Sequence, residues 1–133
     1  MVKISAVVIV SILLMTAVST AQAGNTAAPL STPEIRKNLS SGQKTIIFFL
    51  NPNGRPCQAQ NQILTHLQKD RKNNFKIAYV SAEEQENRQA FYDYGVRGLP
   101  TVVLVDSSGK ISRMFPPGIQ SYDALAVALD GIK

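Results

Sequence analysis

The stretch Tyr94-Gly95-Val96-Arg97-Gly98-Leu99-Pro100-Thr101 decides how this sequence is read. A helix through Phe91 and Tyr94 ends at Gly95, because glycine takes the left-handed turn past a helix end at no steric cost. The Arg97–Thr101 loop then enters an apolar run, Thr101–Asp106. A second junction stands earlier in the chain. Thr45-Ile46-Ile47-Phe48-Phe49-Leu50 is apolar on both alternating faces, as a central strand covered on both sides should be. It is followed by Asn53-Gly54-Arg55-Pro56-Cys57, which reads as a helix start with proline in the first turn, where its missing N–H costs nothing.

Outward from these junctions the pattern is regular. Thr32-Pro33-Glu34 has a hydroxyl cap, proline at the first helical position and an acid next, and Ile35 and Leu39 then share one face. Cys57–Lys72 reads as a helix with Ile63, Leu64 and Leu67 inward and Gln58, Gln62 and Gln68 outward. Phe75–Val80 is a second buried strand, and Ser81-Ala82-Glu83-Glu84 matches a capping box for the next helix. Thr101–Asp106 and Ile111–Phe115 form a hairpin through Ser107-Ser108-Gly109-Lys110. Leu125, Ala128, Leu129 and Ile132 make the inward stripe of a closing helix. The order α-β-α-β-α-β-β-α predicts an α/β fold: a central mixed sheet of about four strands flanked by helices, its first two strands parallel.

Residues 1–23 read as a secretory signal peptide. Lys3 opens it, Ile4–Val18 is apolar but shorter than the roughly 20 residues of a membrane span, and Ala21-Gln22-Ala23 is a small-x-small cleavage site. Residues 24–30 are expected as a flexible leader and 31–133 as one domain, long enough for a core without disulfide staples. Cleavage near Ala23 predicts a periplasmic or secreted protein with no stable membrane span. The formal net charge of +5 is a mild basic bias, and the signal carries one unit of it. Lys69, Arg71 and Lys72 cluster at a helix end, where cations favour the dipole, and no basic run carries interleaved aromatics. No nucleic-acid partner is expected. The chain has one cysteine, so no internal bridge can form, and the odd thiol is either buried and inert or free to bond another molecule.

The two motifs and the order of elements resemble thioredoxin-family domains over essentially the whole chain after the signal. Tyr94–Thr101 resembles the family's Tyr-Gly-Ile-Arg-Gly-Ile-Pro-Thr nearly position for position. Pro56-Cys57 matches the last two residues of its Cys-Gly-Pro-Cys. Arg55 then falls at the glycine, Gly54 at the first cysteine and Asn53 at the usual tryptophan. The resemblance implies a thioredoxin-like fold, with Pro100 in cis facing Cys57. It implies that Asn53, Gly54, Arg55 and Pro56 form an active-site loop, that Leu99 and Pro100 bind an extended substrate segment, and that Gly118 lies beside the active surface. The candidate catalytic residue is Cys57.

Two departures from the family alter the chemistry. Gly54 removes the attacking thiol, so a dithiol cycle cannot run within this chain. Phe48 stands where the family carries a buried, proton-handling aspartate. Cys57 is either a buried leftover or a thiol at a helix start, beside Arg55, uncovered by the glycine. Three readings follow: a monothiol protein forming mixed disulfides with thiol- or disulfide-bearing envelope or secreted proteins or with small thiols, a redox-silent module binding extended peptide segments, and an oxidoreductase that borrows a partner's thiol. An accessible single thiol also permits a disulfide-linked dimer through Cys57.

Other chemistry is not indicated. His66 lies nine residues beyond Cys57 on the same helix. At about 1.5 Å per residue their backbones are roughly 13 Å apart, too far for His66 to act as its base. One cysteine and one histidine make no metal site, and no cofactor motif is present. Glu83, Glu84 and Glu86 read as an acidic helix start, and Tyr92 and Tyr94 as packing residues.

Overall fold

In the computed structural model, which describes residues 26–133, the apolar run forms β1 (Lys44–Leu50), and its alternation sorts the core into two layers. Ile46 and Phe48 belong to one cluster with Leu64, Leu67, Leu125 and Leu129, while Ile47 and Phe49 belong to another with Ile35, Ala90 and Tyr94. The helices supplying those residues are α2 (Arg55–Asp70) and α4 (Tyr122–Asp130) on one face, and α1 (Pro33–Leu39) and α3 (Arg88–Asp93) on the other. The sheet is completed by β2 (Phe75–Ser81), β3 (Thr101–Val105) and β4 (Ile111–Met114), in the order β2-β1-β3-β4. β1 and β2 are parallel, and the other two pairings are antiparallel. This is the four-stranded mixed sheet flanked by helices that the sequence predicts.

Local signals behave as their chemistry requires. The Thr32 hydroxyl accepts the Ile35 N–H at 3.1 Å and Pro33 opens α1, while Ser121 caps α4 by accepting from Ala124 at 3.2 Å. α2 begins at Arg55 rather than Cys57, so the proline sits inside its first turn. The capping box expected at Ser81–Glu84 is not formed. The Ser81 hydroxyl accepts from Glu83, only two residues on, at 3.3 Å. The backbone turns there and passes through a 3₁₀ turn, Gln85–Asn87, before α3 starts at Arg88. Tyr92, expected to pack, is 83% exposed.

The expected signal peptide lies outside the described residues. Of the leader expected over 24–30, the described part is pinned rather than loose. Ala27 bridges to Lys110, the Ala28 N–H donates to the Gly109 carbonyl at 2.9 Å, and the Tyr94 hydroxyl donates to the Pro29 carbonyl at 2.8 Å. Burial first, and the neighbouring Asp93 carboxylate second, hold that phenol well above the usual tyrosine range.

The outer edge of β2 is occupied by side chains. At alternate residues, Gln68 donates to the Phe75 carbonyl at 3.2 Å, Asn38 to that of Ile77 at 3.3 Å and Asn87 to that of Ser81 at 3.0 Å. Between them the Tyr79 N–H donates to Glu34 at 3.1 Å. Four side chains thus take the place of a neighbouring strand along an edge that would otherwise invite pairing.

Candidate functional site

The site sits where β1 hands the chain to α2. The turn Asn51–Gly54 is closed by the Gly54 N–H donating to the Asn51 carbonyl at 3.0 Å, and the Asn51 side-chain oxygen accepts the Asn53 N–H at 3.1 Å. The Asn53 amide also donates to the Glu83 carboxylate, tying this turn to the segment that follows β2. Gly54 is the N-cap of α2 at φ −79°, ψ 127°, an extended conformation open to any residue, and it offers no side-chain cap. Its lack of a side chain is therefore not demanded by the backbone.

Cys57 lies in the first turn of α2 and is 3% exposed. Its sulfur accepts a hydrogen bond from the Asn51 N–H at 3.3 Å. It belongs to the core cluster that holds Phe48, which is fully buried and meets Tyr79 edge to face at 5.9 Å between ring centres. The Tyr79 phenol is raised above its usual range, chiefly by burial and secondly by Glu34, and donates to Asn61 at 2.9 Å. The wall behind the thiol is thus apolar. Asn53, Arg55 and Pro56 are exposed, and Gly54 is half-buried.

The second loop comes from before β3. The Leu99–Pro100 peptide bond is cis. Pro100 is buried, and Leu99, half-buried, packs against both core clusters, including the one containing Cys57. The Thr101 hydroxyl donates to the Gly98 carbonyl at 2.6 Å, which braces the loop from within. Gly98 lies so close to Pro117 that a Cβ there would stand 2.9 Å from the proline Cβ. Gly118, at φ +122°, donates its N–H to the Pro100 carbonyl at 2.9 Å. Leu99, Pro100 and Gly118 are therefore brought together as one unit.

The link from that unit to α2 runs through a residue that the sequence reading left out. Gln60 is fully buried, one turn beyond Cys57. Its amide nitrogen donates to the Gln120 carbonyl at 3.2 Å, and its oxygen accepts the Gln120 N–H at 2.6 Å. The signal was spacing: Cys57, Gln60, Leu64 and Leu67 are the buried stripe of α2, and a polar residue on such a stripe calls for a buried partner.

His66 stands apart from the thiol. Its ring is exposed, lies 3.4 Å from the Asp70 carboxylate and leans on Tyr122. Among the described residues no group of three or more His, Cys, Asp or Glu is placed to hold a metal ion, and no helix is long and apolar enough to cross a membrane.

Comparison with known proteins agrees with this architecture. No family model matches the chain, and no curated protein does. Solved structures do. A thioredoxin-like protein of uncharacterised function from Clostridium perfringens is 26% identical, with a TM-score of 0.62 over 68% of this chain and 71% of that one. A variant thioredoxin from Halobacterium salinarum is 25% identical, with a TM-score of 0.62 over 72% of this chain and 80% of that one. An exposed lipoprotein thioredoxin from Streptococcus pneumoniae is 20% identical, with a TM-score of 0.59 over 71% of this chain and 90% of that one. The fold is thioredoxin-like, and the solved neighbours are thioredoxin-like proteins.

Proposed function

We propose that this chain is an exported thioredoxin-fold protein whose single active-site thiol, Cys57, forms mixed disulfides with envelope or secreted proteins or with small thiols. One observation carries the reading. A Cβ on Gly54 would lie 3.7 Å from the Cys57 sulfur, in ordinary van der Waals contact, and glycine leaves that place beside the sulfur free on a backbone that any residue could adopt. An incoming sulfur can occupy it. The Asn51 N–H already donates to the Cys57 sulfur, at 3.3 Å.

The step is a single exchange. The Cys57 thiolate attacks one sulfur of a disulfide R–S–S–R′, the Cys57–S–S–R bond forms as the original S–S bond breaks, and R′–S⁻ leaves with both electrons of that bond. With one cysteine in the chain, only an external thiol can then release R. Leu99, Pro100 and Gly118 would receive the extended segment that carries the partner's sulfur. Export rests on residues 1–23, and the cleaved chain would act in the periplasm or outside the cell.

A second reading is favoured by the 3% exposure of Cys57 against the apolar wall of Phe48. On it, the chain is a redox-silent module that binds extended segments at the Leu99–Pro100 loop. Purified protein and Cys57→Ser are to be incubated, folded, with an oxidised small disulfide, and their intact masses read. One adduct on the wild type and none on the variant is expected. An adduct that forms only after unfolding would overturn the monothiol reading and leave the binding module.

A further inference from the structure

We propose that Gln60 is a positioning residue, a buried latch that fixes the Gly118–Gln120 loop, and with it the Leu99–Pro100 loop, at a set distance from Cys57. That this spacing serves a reaction rests on the proposed function. The latch itself does not.

A glutamine with no exposed surface is an unusual choice on the inward stripe of a helix, since an apolar side chain of equal length fills such a space without desolvating an amide. Here both ends of the amide are matched by one backbone unit, the N–H and carbonyl of Gln120, sixty residues away. An apolar side chain would tolerate a loop that slides, whereas this pairing is satisfied at one register only. The loop is closed on itself as well. The Gln120 side chain donates to the Pro116 carbonyl at 3.0 Å and to that of Gly118 at 3.3 Å. Gly118 holds a positive φ suited to glycine and donates to Pro100 at 2.9 Å. A continuous path therefore runs from Cys57 along one turn of α2 to Gln60, across to Gln120, back to Gly118 and on to Pro100. Cys57 and the Leu99–Pro100 loop are carried by elements far apart in sequence, and Gln60 is a buried polar tie between them.

The test uses Gln60→Met, similar in length but unable to pair, and Gln60→Glu, which when protonated can both donate to and accept from Gln120. Residue-resolved amide exchange is measured in the folded protein. The Gln120 N–H loses its acceptor outright, so the informative reporter is Gly118. Its protection is expected to fall about tenfold or more in Gln60→Met relative to the β1 and β3 amides, which report global opening. In Gln60→Glu the same loss is expected near neutral pH, with protection regained on acidification as the carboxyl takes up its proton. If Gln60→Met does not fold, Gln60→Glu carries the test alone. The rate at which Cys57 exchanges with a disulfide on an extended peptide should also fall relative to its rate with a small disulfide. Unchanged protection at Gly118, or protection lost equally at Gly118 and in β1 and β3, would overturn the latch. A wild-type Cys57 inert to both disulfides, with the exchange pattern as expected, would overturn the proposed function and leave the latch standing.

Discussion

The Cβ that Gly54 lacks would stand 3.7 Å from the sulfur of Cys57 and 3.4 Å from the carbonyl oxygen of Asn51. Both are ordinary contacts, so a methyl group fits there and covers the thiol. Gly54→Ala should therefore fold, with a loss of roughly 0.5 kcal/mol because alanine is a poorer N-cap than glycine. The alkylation rate of Cys57 in the folded protein should drop several-fold. An unchanged rate would mean that reagents reach the sulfur by another path.

The same spacing predicts that Gly54→Cys closes a disulfide across the first turn of α2. The two positions are three residues apart at the start of α2, and rotation of the Cys57 side chain toward the added Cβ would bring the two sulfurs into bonding range. Mild oxidation should remove both thiols from a monomer, read by thiol titration and intact mass. The reduced form should regain turnover with a protein disulfide, though slowly, since Phe48 supplies no proton-handling group. An oxidised product that is only an intermolecular dimer would contradict this geometry.

Gly98 predicts a different kind of failure. An alanine there must push Pro117 away from a 2.9 Å approach, and Pro117 adjoins Gly118, which is bonded to Pro100. Gly98→Ala should cost about 1–3 kcal/mol in denaturant unfolding, the usual range for overpacking. Chemical shifts should move in the 116–120 loop more than in β1. A neutral substitution would show that this loop yields easily.

The layers of this fold were legible because β1 is apolar on both faces and each helix carries a clear stripe. The loop Tyr94–Thr101 was legible because its glycines and proline restrict the backbone locally. Three features were not. The Ser81 hydroxyl could cap a helix or close a turn two residues on, and the two alternatives look alike in sequence. Gln60 falls on the inward stripe of α2 by spacing, but its partner Gln120 lies sixty residues on and is brought there by the tertiary fold. The burial of Cys57 depends on how Phe48 and the helices pack around it, which no local pattern encodes.

The covered edge of β2 can be opened by design. Glu34→Ala with Asn38→Ala removes the side chains that occupy the Tyr79 N–H and the Ile77 carbonyl, and exposes a parallel-sheet edge. The double variant should self-associate more strongly than the wild type, seen as a concentration-dependent rise in mass by light scattering. Equal masses at all concentrations would show that water satisfies this edge without inviting a second strand.

Arg71, just past α2, meets Asp130 at the end of α4 through two parallel hydrogen bonds of 3.0 and 2.8 Å. Those bonds, with the charges of Arg71 and Lys44 behind them, hold the Asp130 carboxyl below its usual range against the opposing effect of burial. A carboxylate whose folded pKa is depressed contributes stability that is present above its unfolded pKa and lost as pH falls through the folded value. Arg71→Ala should therefore lower the melting temperature near neutral pH, and the gap to wild type should close as pH falls through and below the ordinary carboxylate range. Asp130 is exposed and Arg71 half-buried, so added salt should narrow the gap as well. A gap that stays constant across that pH range would assign the contribution of Arg71 to packing of its aliphatic stem rather than to its charge.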